Sequence, residues 1–298
     1  NYRHQVVAVT LENECLSEII PVPVPLLTDL HRIPQQPAPS EEVIAQLAEL
    51  PLAGTEGYED PNRWPYVEVR VLMTEPDPGF RHRVEEVLAD LVWCRRQYAS
   101  IGRIFLADGD ALIAPAEDLL RILEYIRTEI PECERVSCYA SPKSVRRKTD
   151  TELRALRAAN LQMVYMGLES GSDDILRRMR KGGSAAQIVE AAQRVRGAEM
   201  ALSVTAISGL GGRAQWQEHA EATGAALSQI KAEYIGLLTL MVEPGTPVFQ
   251  WVREGTLQLL SPQEVLAETY TLLAHTDSEG SVLRMNHASN YLSLRGTL

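Results

Sequence analysis

At 298 residues and 45% hydrophobic content, the chain is long and apolar enough for one large α/β domain with an appendage. Forty acidic against 29 basic residues give a net charge of −11, which repels phosphate backbones, so nucleic acid is a disfavoured partner and an unspecified small-molecule substrate is expected. No apolar run approaches the ~20 residues of a membrane helix and no leader opens the chain, while Cys15, Cys94, Cys133 and Cys138 form neither a disulfide framework nor a zinc pattern, so a cytoplasmic protein with reduced thiols and no membrane partner is expected.

Residues 1–60 read as an N-terminal extended arm with one short helix. A β-rich run at 5–11 is followed by Pro21, Pro23, Pro25, Pro34, Pro37 and Pro39, a density that breaks helices and central strands, and then by a helical stretch at 40–50. Residues 61–298 form the second unit. Apolar runs at 66–72, 103–107, 135–139, 163–168, 202–207 and 234–238 predict six strands. Amphipathic stretches at 84–98, 115–129, 151–159, 172–180, 184–199 and 216–229 predict the helices between them, with Pro115 in a first turn and Thr149 and Ser184 as N-caps. A Pro-Gly turn, helices at 247–254 and 262–275, and a short strand at 282–285 complete a C-terminal extension. Strands alternating with helices imply a parallel sheet, either doubly wound or closing toward a barrel.

In such sheets the working residues sit at the carboxyl ends of the strands. The run ending at Ala107 continues Asp108-Gly109-Asp110, in which a glycine between carboxylates suits either a ligand's ammonium group or a plain Asp-Gly turn. The run ending at Leu168 continues Glu169-Ser170-Gly171-Ser172, where a carboxylate leaving the core calls for a ligand or a nearby Lys or Arg. A third run reads Ile207-Ser208-Gly209-Leu210-Gly211-Gly212, whose bare backbone suits a flat base or an anion, though it lacks a P-loop lysine. Three such ends on one rim point to a ligand site. In the C-terminal segment, His287 and Asn290 either close the open side of the sheet or satisfy backbone groups there.

These segments, together with Ser137-Cys138-Tyr139-Ala140, Lys181-Gly182, Pro244-Gly245-Thr246-Pro247 and His287-Ala288-Ser289-Asn290-Tyr291-Leu292, occur in this order in a group of radical S-adenosylmethionine (radical SAM) proteins. The chain resembles that superfamily over residues 58–298, in the neighbourhood of the oxygen-independent coproporphyrinogen oxidases and the Elongator-type and methylthiotransferase barrels. The resemblance implies an α/β fold, a partial (β/α)6 TIM-like barrel with parallel strands. It also implies S-adenosylmethionine and a 4Fe-4S cluster as cofactors, reductive cleavage to a 5′-deoxyadenosyl radical, and a reductant protein such as flavodoxin or ferredoxin. By position, Asp108, Gly109 and Asp110 match the element around the amino group of the cofactor, Glu169 and Ser170 the groups near its ribose, and Ile207 and Gly209 the backbone against its adenine.

One element departs from the pattern. The CxxxCxxC loop that holds the cluster belongs between Leu72 and Met73, and its cysteines are absent there. Cys94, Cys133 and Cys138 lie elsewhere and read as buried structural thiols. A sequence trimmed of about a dozen residues at that junction is expected, since the chain also opens on Asn1 without an initiator Met. The alternatives are a cluster-less pseudoenzyme or cofactor-binding scaffold, and a tRNA-modifying enzyme using the basic runs at 146–148 and 177–181.

Overall fold

The computed structural model describes residues 7–9, 66–70, 80–107 and 109–298, with side chains from Val84 onward. The proline-rich part of the arm, its helix at 40–50, the Leu72–Met73 junction and Asp108 lie outside the described residues.

A nine-stranded sheet organises these residues, in the order β1 (Val7–Val9), β2 (Tyr66–Arg70), β3 (Arg103–Ala107), β4 (Arg135–Ala140), β5 (Leu161–Glu169), β6 (Ala201–Ser208), β7 (Tyr234–Thr239), β8 (Val282–Arg284) and β9 (Arg295–Thr297). Strands β2 to β8 pair in parallel, and β1 and β9 add antiparallel edges. Sequential order with parallel pairing requires a crossover between each neighbouring pair. The helices supply them: α1 (Phe80–Gln97), α2 (Ala116–Glu129), α3 (Pro142–Arg146), α4 (Asp150–Ala158), α5 (Asp173–Arg178), α6 (Ala185–Gly197), α7 (Gly212–Ile230), α8 (Pro247–Arg253) and α9 (Pro262–Ala274). The result is the expected α/β partial barrel, with seven parallel strands rather than six. The short run at 282–285, expected in the C-terminal extension, pairs in parallel with β7 as a further strand.

Period-two alternation sets the faces of the sheet. Along β6, Leu202, Val204, Ala206 and Ser208 are buried beneath the helices, while Ala201, Ser203, Thr205 and Ile207 are half-buried on the inner face. Strand β7 repeats the pattern, with Ile235 and Leu237 in the core. On the inner face Phe105, Tyr139 and Tyr165 of successive strands cluster, Phe105 meeting Tyr139 edge to face at 4.7 Å between ring centroids and Tyr165 at a tilt at 5.2 Å.

Local chemistry fixes the helix starts. Thr149 with Glu152, Ser184 with Gln187 and Ser261 with Glu264 form reciprocal capping boxes, each satisfying two backbone donors. Pro115 stands at the N-cap of α2, one place before the expected first turn. The 3-10 turn Ala111–Ile113 and helix α3 were not anticipated, being shorter than a periodicity window. Helix α7 starts at Gly212 rather than near Trp216, because a kink at Gln215 lets one more turn precede the periodic stretch.

Candidate functional site

Strands β3, β5 and β6 end on one rim of the sheet. After β3, Gly109 takes φ +74°, and an added Cβ there would meet no described residue within 4 Å. Asp110 turns toward the next strand, where its carboxylate accepts from the backbone N–H of Ser141 at 3.1 Å and from the Ser141 hydroxyl. That carboxylate therefore ties the β3 loop to the start of α3 while its remaining lone pairs stay unassigned.

Strand β5 breaks register with β6 between Gly167 and Glu169, and Glu169 takes φ +62°. A non-glycine residue in the left-handed region costs about 1 kcal/mol or more, which its surroundings must offset. Two features do so here. Lys181 Nζ pairs with Glu169 Oε1 at 3.1 Å, and Gly167 leaves room for that carboxylate, since an added Cβ would stand 2.5 Å from Oε1. The cation that a carboxylate at this strand end requires is thus the lysine of the Lys181-Gly182 pair.

Ser170 is fully buried, its hydroxyl 2.8 Å from His219 Nδ1 and accepting from the backbone N–H of Ser172 at 3.0 Å. Ser172 stands at the N-cap of α5 but donates its hydroxyl to Glu218 Oε1 at 3.0 Å instead of capping. The N–H of Gly171 donates to Thr223 Oγ1 at 2.9 Å. An added Cβ on Gly171 would fall 2.1 Å from the carbonyl oxygen of Ala222, so glycine is what lets α7 approach the turn.

At the end of β6, Ile207 is half-buried on the inner face and Gly209 takes φ +89°. The carbonyl of Gly209 accepts from Gly212 N at 3.0 Å, closing the glycine turn. Arg178 braces the turn from outside, donating to Leu210 O at 2.6 Å and to Gln215 Oε1 at 3.0 Å. Glu169 and Ile207 end neighbouring strands, with Glu169 registered against Ala206, so this part of the rim is contiguous. Gly109 and Asp110 follow β3, two strands from β5, and Asp108 lies outside the described residues.

His219 and Glu268 carry no signal in the sequence, and Arg178 stands there only as part of the basic run at 177–181, yet all three act on this rim. A helical His or Glu with no motif around it carries no local signal, because its partner is set by packing. His287 and Asn290 resolve toward backbone satisfaction. Asn290 donates to Leu237 O at 2.8 Å and accepts from the Thr239 hydroxyl at 3.0 Å, and Ser289 accepts from Thr239 N at 3.1 Å, with His287 2.8 Å from the Ser289 hydroxyl.

The described thiols are structural. Burial pushes Cys94 and Cys133 up to about 11 and Cys138 up to about 12, so each is protonated at neutral pH. They stand apart on α1, in the loop before β4 and on β4, and among the described residues no group of three His, Cys, Asp or Glu could hold a metal ion. No helix among the described residues is long and apolar enough to cross a membrane.

Comparison with known proteins bears on this geometry. The sequence model of the Radical SAM superfamily matches residues 65–221. No curated protein matches the chain by sequence. Among solved structures, coproporphyrinogen III oxidase from Escherichia coli, a radical SAM enzyme, superposes with a TM-score of 0.55 at 14% identity over 80% of this chain and 62% of that one. The archaeal Methanocaldococcus infernus Elp3 gives 0.49 at 13% identity over 69% and 53%, and methylornithine synthase 0.45 at 12% over 68% and 54%. The chain spans between half and two thirds of the length of these structures.

Proposed function

The chain belongs to the radical SAM superfamily, and from that premise we propose that the rim at the ends of β3, β5 and β6 binds S-adenosylmethionine, with residues 61–298 as the binding unit. The observation that carries the reading is the contiguity of a fixed carboxylate, Glu169, with a half-buried apolar residue and a bare glycine backbone, Ile207 and Gly209, on neighbouring strand ends.

The donor set suits an adenosyl group. A carboxylate accepts hydrogen bonds from vicinal hydroxyls, as a ribose offers, and Lys181 orients Glu169 for that role. The half-buried Ile207 beside a side-chain-free Gly209 gives a flat base an apolar surface and an accessible backbone. The space at Gly109, clear of the described residues, leaves room for the amino-acid end, with Asp110 fixing the loop through Ser141. Ser170 acts from below through its hydrogen bonds rather than by exposing its hydroxyl.

The 4Fe-4S cluster typical of the superfamily supplies an electron to S-adenosylmethionine when bound. The described residues do not fit it, because their thiols are protonated, buried and scattered. No cleavage step is therefore assigned to this chain. That misfit favours a second reading, a module that binds the cofactor without turnover. A gene product carrying a cysteine loop between Leu72 and Met73 would instead be an enzyme, with a small-molecule substrate and a flavodoxin or ferredoxin as reductant.

Calorimetric titration with S-adenosylmethionine tests the site. Glu169→Ala is expected to weaken binding tenfold or more, the ~1.4 kcal/mol of one charged hydrogen bond. Equal affinity in the variant would sink the assignment. Iron and sulfide content, with 5′-deoxyadenosine formation after anaerobic reconstitution, separates enzyme from binding module.

A further inference from the structure

Two buried side chains reach the β6 turn from behind. His219 of α7 sets Nε2 3.0 Å from the carbonyl oxygen of Ile207, and Glu268 of α9 accepts from the N–H of Gly209 at 2.7 Å through Oε2. Both residues are 0% exposed. We propose that His219 and Glu268 are a pair of positioning residues that hold the Ile207–Gly209 turn in the shape an adenosyl group requires, and that they do so only while both are uncharged. The inference rests on reading the rim as the S-adenosylmethionine site and names a control built into that site.

A strand end at a rim leaves backbone groups without ladder partners, and when buried they must be satisfied from elsewhere. Ile207 and Gly209 flank Ser208, the last residue of β6. The carbonyl of Ile207 only accepts, so the proton of a neutral His219 ring sits on Nε2. Nδ1 is then an acceptor, and it faces the Ser170 hydroxyl at 2.8 Å and the Thr223 hydroxyl at 3.3 Å. One ring therefore ties the end of β5, beside Glu169, to the end of β6. The separation of the two proposed contact points is set by that imidazole.

Glu268 completes the turn. Its Oε2 takes the Gly209 N–H, while its buried Oε1 and the buried hydroxyl of adjacent Ser208 have only each other to turn to. Two orphaned polar atoms at one strand end are costly unless they serve each other. A protonated Glu268 places a donor on Oε1 and makes the Ser208 hydroxyl its natural acceptor. An ionised Glu268 would instead be a buried charge without a counter-ion.

Among the described residues, the elements packed here supply no compensating charge. On α7, Arg213 is taken by Glu264 at 3.1 Å, and His219 is turned to Ile207 and Ser170. On α9, Glu264 also caps its own helix, and β6 contributes only Ser208 and the Gly209 backbone. Burial pushes Glu268 up to about 8 against the Gly209 N–H and the Ser208 hydroxyl, which both favour the ionised form, and no charged group contributes. Burial pushes His219 down, seconded by Arg178 and opposed by the Ile207 hydrogen bond and Glu218. The two helices are locked in place by Gly224 of α7, where an added Cβ would stand 2.6 Å from Leu272 O of α9.

The test is a titration of the full chain with S-adenosylmethionine between pH 6 and 9.5, for the wild type, Glu268→Gln and Glu268→Leu. The wild-type dissociation constant is expected to rise about tenfold per pH unit above about 8, from loss of one proton. Glu268→Gln keeps an acceptor for Gly209 and a donor for Ser208, so its curve should lack that limb, whereas Glu268→Leu should bind weakly throughout. The ligand's own ammonium titrates near this range in every protein alike, so the readout is the difference between curves. An alkaline limb of the same size in Glu268→Gln overturns the inference.

Ligand-free melting gives an independent readout. A carboxyl raised on folding stabilises below its unfolded value, and that contribution is lost as pH rises to about 8 and is constant beyond. The wild type minus Glu268→Gln difference should follow that course. A flat difference overturns the clamp whatever the ligand does, whereas absent binding at every pH with the sloping difference intact overturns only the S-adenosylmethionine reading.

Discussion

At the scale of the residue, the rim is shaped by glycines as much as by functional groups. Gly171 shows how tight the limit is, since the turn after β5 touches α7 backbone to backbone. Gly171→Ala would push Ala222, and with it His219, away from Ser170. We expect it to destabilise the fold by roughly 2 kcal/mol or more, as overpacking against rigid backbone does, and to weaken S-adenosylmethionine binding; urea unfolding and calorimetry check the two effects. Glu169, Gly209 and their neighbours were legible in the sequence because a polar or glycine residue directly after an apolar run is conspicuous. His219 and Glu268 were not, because their partners stand 49 and 59 residues away and no local pattern marks a hydrogen bond at that range. Asp110 was legible as a rim residue, but its bond to Ser141 appears only when β3 and β4 lie side by side.

At the scale of the element, helix starts were readable wherever capping chemistry is complete within four residues. Thr149 and Ser184 are N-caps as expected, each with its reciprocal partner three residues on. Thr149→Ala should cost about 1 kcal/mol, by removing the acceptor for Glu152 N and the hydroxyl donor to Glu152 Oε2, the backbone N–H at 149 remaining on that carboxylate. Ser184→Ala should cost a similar amount, and because the two helices cap separately the double variant should be additive in denaturant titration. Helix α3 escaped the sequence reading because its five residues are held by Ser141 and Ser144 rather than by an amphipathic period. The early start of α7 escaped for a related reason: its first turn is set by packing of Gly211 and Gly212 against Gln215 and the Leu257–Gln258 backbone region.

At the scale of the molecule, the C-terminal segment finishes the sheet. Strand β8 extends the parallel array, and the loop before β9 returns to the end of β7, where Asn290 and Ser289 satisfy Leu237 and Thr239. Asn290→Ala removes a donor and an acceptor at once. A loss of roughly 1–3 kcal/mol is expected for the stranded carbonyl and hydroxyl, with faster hydrogen exchange at Thr239 and its neighbours; unchanged exchange there would show that the segment is not what closes β7. While the sequential order of the strands came with the structure, the sequence by itself determined the strand–helix alternation from 66 to 239, the three polar strand ends and the want of clustered cysteines at the Leu72–Met73 junction. Those are matters of period, capping and composition, which act over a few residues. Only the tertiary structure decided that β8 joins the barrel, that Lys181 answers Glu169, and that His219 and Glu268 grip the β6 turn from two different helices. Those bonds join groups far apart along the chain, and burial, not sequence proximity, chooses their partners.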